Sequence, residues 1–127
     1  MKTLAASALM LVSFSAFGAL KCETKPPANT PAASLKGLAK ISMAAAEKAA
    51  LAHLGARRGT PTVAKSDLEV EDGCLVYSFD IRIAGKTGVE EILVDAANGK
   101  ILSAKHETPR QEAAEKAKDK AEAKKAK

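Results

Sequence analysis

Apolar and polar residues alternate on both sides of Asp72-Gly73, from Leu68 to Ile83. A period of two marks strands with one buried face. Asp-Gly suits a type I′ turn, whose two central residues take positive φ. Such a turn fixes a register in which Glu71 faces Cys74, Val70 faces Leu75, Leu68 faces Tyr77 and Ser66 faces Phe79. Cross-strand partners share a face, so Leu68, Val70, Leu75, Tyr77, Phe79, Ile81 and Ile83 form an apolar face. The opposite face carries Lys65, Asp67, Glu69, Glu71, Cys74, Val76, Ser78, Asp80 and Arg82.

The pattern continues beyond the hairpin. After a looser turn over Ala84–Gly88, Val89–Asp95 reads as a third strand and Lys100–His106 as a fourth. Gly99 supplies positive φ in the turn between them, and Asp95 can cap it. A three-residue turn with a Gly bulge would pair Val94 with Leu102 and Ile92 with Ala104. Leu93 and Ile101 would then join Val76 on the far face, an apolar cluster where an antiparallel sheet usually meets water. Val76, Leu93 and Ile101 are therefore the candidate partner face, with cover by the linker or tail as the plainer reading.

Before the hairpin the period changes. Ser42 is a good N-cap, Met43–Leu54 is rich in Ala without Gly, Pro or β-branched residues, and Gly55 is a natural stop. At 100° per residue Met43, Ala46, Ala50, Leu51 and Leu54 share one side, which would lie on the sheet. Glu47 falls in the same arc, and His53 sits at the helix end, where a protonated imidazole is favoured.

The segments outside this block read differently. Met1-Lys2-Thr3, the apolar run Leu4–Phe17 and the small residues of Ala16-Phe17-Gly18 make a secretory signal peptide over residues 1–18. The run is shorter than the roughly 20 residues a membrane span needs, so an extracytoplasmic mature chain is expected, soluble or anchored only at its N-terminus, and periplasmic, secreted or at the cell surface. Residues 19–40, with Pro26, Pro27 and Pro31, read as a flexible linker, in which Leu35 and Leu38 are placed to start docking on the domain. Residues 108–127 are Ala, Lys and Glu in the main, with no large apolar residue, and read as a low-complexity tail whose helix would be solvated.

Two cysteines in an exported chain leave three arrangements open: a Cys22–Cys74 bridge, two free thiols, or pairing between molecules. The register puts Cys74 at the turn end of the polar face, where it should be accessible. Cys22 also stands where a lipoprotein is acylated, yet Lys21 occupies the position that needs a small residue. There is no Cys-x-x-Cys, and two cysteines with two distant histidines match no metal-site spacing. Net charge is +5, but much of the excess lies in the tail, with no interleaved aromatics and no nucleic-acid motif. No nucleophile motif or paired-carboxylate spacing appears, so no enzyme, cofactor or metal is expected.

One helix followed by three or four antiparallel strands resembles a PepSY domain. The match lies in the Ala-rich helix, the path from Glu71-Asp72-Gly73 through Tyr77 to Ile81, and Glu91-Ile-Leu-Val-Asp-Ala-Ala-Asn-Gly-Lys-Ile-Leu102, within residues 41–107. The resemblance implies an α+β fold with the helix packed on the sheet, and a binding module without catalytic residues. Similar domains occur in propeptides of thermolysin-like metallopeptidases and are proposed to restrain peptidases. A protein partner, a peptidase foremost, held by the open sheet face or an edge strand is the function so implied. The alternative is an envelope tether using the basic tail on anionic polymer.

Overall fold

The computed structural model describes residues 20–55 and 59–125. The leader read at residues 1–18 lies outside them, as do Arg57 and Arg58 of the connection after the helix. Four strands, β1 (Pro61–Glu71), β2 (Cys74–Ile83), β3 (Val89–Asp95) and β4 (Ile101–Glu107), form one antiparallel sheet in the order β1-β2-β3-β4. Three helices accompany it: α1 (Ala32–Leu35), α2 (Met43–Leu54) and α3 (Pro109–Lys125). The architecture is α+β.

The β1–β2 hairpin has the register that its turn dictates, with Glu71 opposite Cys74 and Leu68 opposite Tyr77. Asp72 (φ 47°) and Gly73 (φ 79°) both take the positive values of a type I′ turn. A bulge at Ala64 interrupts the pairing of β1, so that Lys65 lies opposite Asp80. The register of β3 and β4 departs from expectation by one residue near its turn. Ile92 does face Ala104, but a bulge follows Leu93, and Val94 faces Ile101 rather than Leu102. A one-residue slip exchanges the faces of a strand. Ile101 accordingly packs on the main core, and Leu102 takes the place expected for it on the far face.

α2 begins and ends on the predicted signals. Ser42 Oγ accepts from Ala45 N (3.1 Å), and Gly55, at φ 63°, donates to Leu51 O (3.2 Å). Ala46 and Ala50 are fully buried against Phe79, Ile81 and Ile92, and their small size lets the helix axis come close to the sheet. Met43, placed on the same side by angle alone, is exposed because it sits at the first turn, beyond the sheet contact. Tyr77 OH donates to Ile41 O (2.7 Å), and Ala96 O accepts from Lys40 N and Ile41 N (2.9 and 3.1 Å). Together these bonds fix where the chain enters α2.

Residues 20–40, expected to be a spacer, lie against the domain. Leu35 of α1 is part of the main core. Leu75 N donates to Thr24 O (3.0 Å), and Glu23 N donates to Asp95 Oδ2 (3.1 Å). Cys22 is bonded to Cys74. Asp95 is buried, and its other oxygen accepts from Ala97 N (2.8 Å), so one carboxylate secures both the β3–β4 turn and the incoming N-terminal strap.

Candidate functional site

The sheet face opposite α2 is divided in two. At the hairpin-turn end Cys74, Val76 and Leu93 are buried beneath Leu20 and Cys22, with Leu102 packed alongside. The far-face cluster thus exists but is covered by the chain itself. Val76 and Leu93 are not an open partner face, and Ile101 is on the other side of the sheet. Cys74 is buried for the same reason: the bridge draws the strap over it. A sulfur in that bridge has no valence left for an acyl chain, so bridging and lipidation of Cys22 are mutually exclusive.

The other half of this face is charged. Asp80 of β2 lies opposite both Lys65 of β1 and Glu91 of β3, and Glu91 lies opposite Lys105 of β4. α3 runs over these groups and encloses a small cavity lined by Lys65, Glu69, Glu71, Asp80, Glu91 and, from the helix, Glu115 among others. Arg82 Nη2 meets Glu112 Oε1 at 2.7 Å, and Lys116 reaches the same oxygen at 2.9 Å. The hydrogen bond from Lys116, aided by Arg82, holds the Glu112 carboxyl below the usual range. Burial raises Glu69, Glu71, Asp80 and Glu91, each further raised by neighbouring acids. Glu107 goes furthest: burial first, then Glu91 and Glu115, push it to about 7.

Glu91, Glu107 and Glu115 bring carboxylate oxygens within 4.8 Å of one another. Among the described residues this is the one set of acid, His or Cys side chains close enough to share a cation. Glu115 is exposed and the other two half-buried, an arrangement common on surfaces without a metal, and no metal is assigned. Alternation along the strands placed Glu69, Glu71 and Asp80 on a polar face. Nothing in the apolar pattern of the tail signalled that Glu112 and Glu115 would join them.

The second feature lies on the α2 side. β1 is an outer strand of 11 residues, with no strand beyond it among the described residues. Beside it an open groove of about 640 Å³ runs between the strand and the α1–α2 segment, floored by Ile41, Met43, Leu68 and Tyr77 and flanked by Lys36. Val70 (43% exposed), Met43 and Leu38 (both 38%) are the large apolar side chains left open to solvent among the described residues. Burial alone raises the Tyr77 hydroxyl pKa, which keeps it a neutral donor to Ile41. Charged residues at alternate positions of β1, Lys65, Asp67, Glu69 and Glu71, together with the bulge, are devices that discourage indiscriminate edge pairing.

His53 is an exposed residue in the last turn of α2. His106 pairs with Glu90 across β3–β4 (Nδ1···Oε1 2.8 Å). Among the described residues no helix is long and apolar enough to cross a membrane. A family model described as peptidase propeptide and YPEB domain matches residues 40–105, just over half of the chain, and covers α2 and nearly all of the sheet. No curated protein and no solved structure gives a significant match to the chain.

Proposed function

Because the chain belongs to the PepSY family, we propose that it is a non-catalytic, extracytoplasmic module that binds an extended segment of a protein partner, a peptidase foremost, along the outer edge of β1. The observation that carries this reading is the 11-residue outer strand running beside an apolar groove. An added strand draws affinity from main-chain hydrogen bonds and specificity from alternate side chains. One set of those side chains would enter the groove over Leu68 and Tyr77 and should be apolar. The other set would face Glu69 and Glu71 and should be basic. The extracytoplasmic placement rests on the leader pattern and on a disulfide, which persists in oxidising compartments.

The test uses a peptidase of the host envelope. Adding the pure protein should change its activity, and Val70→Asp should abolish the effect, since Val70 is exposed at the edge and its replacement spares the core. A Val70→Asp protein as effective as the parent would refute the β1 edge as the binding surface. The tethering alternative draws on the excess of basic over acidic residues between Arg110 and Lys127. It requires attachment to anionic polymer that is lost on deleting that tail and falls steeply with salt.

A further inference from the structure

α3 meets the sheet without a large apolar residue of its own. Its placement therefore depends on charge rather than on burial of apolar surface. Its first turn is fixed by the Arg82–Glu112 pair, with Lys116 on the same carboxylate. Less than one turn beyond Glu112, Glu115 brings its carboxylate against Glu91 and Glu107. Three ionised carboxylates at that separation repel one another, and a proton held between two of them turns the repulsion into a hydrogen bond.

We propose that α3 is a proton-latched cover over the charged half of the sheet, held down while protonated Glu107 donates to the Glu115 carboxylate and lifted when Glu107 is ionised. The surroundings are mixed in charge. β1 contributes Lys65, Glu69 and Glu71, β2 Asp80 and Arg82, β3 Glu91, β4 Lys105, and α3 Glu112, Lys116, Lys118 and Asp119. Acidic groups outnumber basic ones, so the excess negative charge opposes a fully ionised docked state.

With the helix in place Glu107 holds its proton up to about 7, against 4.5 for a free Glu carboxyl. The docked form binds the proton more tightly than the lifted form. Docking is therefore fully favoured below the free value and loses its advantage as pH rises through the docked value. The docking equilibrium falls by up to about tenfold per pH unit, over less than the full span from 4.5 to about 7, because Glu91 on β3 stays beside Glu107 when the helix lifts. Lifting would bare Glu69, Asp80 and Glu91 on the face opposite the β1 groove, so the latch does not depend on the peptide-binding reading.

The experiment is nitrogen-15 relaxation on labelled protein purified from the expressing cell, with EDTA present to remove cations. At pH 5 the amides of residues 111–120 should tumble with the sheet. At pH 8 they should show fast independent motion while the β2 amides are unchanged. Glu107→Gln, neutral at every pH and still a donor to Glu115, should keep α3 on the sheet at pH 8. Glu115→Gln, on an exposed helix position, serves the same purpose should the strand variant fail to fold. An α3 equally rigid or equally mobile at both pH values overturns the proposal. So does a Gln variant that responds to pH as the parent does.

Discussion

Removing the Cys22–Cys74 bridge should cost this domain much of its stability. The bridge closes a loop with a sequence separation of 52. Chain-entropy arguments give about 3 kcal/mol for a 15-residue loop and about 4.7 for 100 residues, so about 4 kcal/mol is expected here. The whole stability of a small domain is about 5 to 15 kcal/mol. Part of the strap remains tied without the bridge, through Leu75 N to Thr24 O and Glu23 N to Asp95 Oδ2. Those bonds act only in the folded state and do not replace a constraint on the unfolded chain. The comparison is urea unfolding of the oxidised protein, the dithiothreitol-reduced protein and the double variant Cys22→Ala/Cys74→Ala. Tyr77 is the single tyrosine of a chain without tryptophan, so tyrosine fluorescence reports on the core at one site and far-ultraviolet circular dichroism on the backbone. With a urea slope of about 1 kcal/mol per molar, the midpoint should fall by about 3 M or more, identically by both probes. A fall below about 1 M would refute the reasoning. So would an unchanged Tyr77 transition beside a separate small backbone change, which would show that the bridge holds only the strap.

Tyr77→Phe removes the donor to Ile41 O and leaves that carbonyl unpaired; a loss of about 1 to 2 kcal/mol in urea unfolding followed by circular dichroism is expected. Gly88→Ala should be costlier than Gly73→Ala, although both residues have φ near 80° (77° and 79°). A Cβ at Gly73 meets nothing within 4 Å, whereas one at Gly88 runs into the Glu107 carbonyl oxygen. At about 1 kcal/mol for the conformation alone and 4 to 8 °C of melting temperature per kcal/mol, roughly, the Gly73 variant should melt a few degrees low. The Gly88 variant should melt at least twice as far below the parent, and equal shifts would contradict the close approach.

What was legible in the sequence is what local chemistry decides. Asp72-Gly73 sets its own turn and, through it, seven residues on either side, as far as the bulge at Ala64; Ser42 and Gly55 bound a helix that needs no outside help to be recognised. The face of Ile101 was not legible, because it depends on where the β3–β4 pair accommodates one extra residue. The docking of Ile101 beside Val94 over the core, with Leu102 beside Leu93, decides that. Cover of Val76 and Leu93 by the linker was the plainer reading and is what the chain does, whereas the burial of Cys74 was hidden, since it depends on Leu20 and Cys22, more than 50 residues away. The Pro-rich composition of residues 23–40 described the local backbone; of the two leucines able to dock, Leu35 enters the core and Leu38 stays exposed. For the tail, periodicity had no apolar residue to work with, and the contact that places it is a charge pattern split between strands and helix.

The strand order also dictates the sequence of assembly. Each strand pairs with its immediate successor, so a chain emerging N-terminus first can add strands to the sheet one at a time, by short loop closures that are entropically cheap. Cys22 emerges long before Cys74 and must wait, reduced, until the first hairpin turn has appeared. The bond that secures the start of the domain therefore cannot form before β2 begins, and until it does Val76 and Leu93 lack their cover. That interval is when the chain is most open to misassembly, and with two cysteines in the molecule any wrong bridge formed then must join two chains.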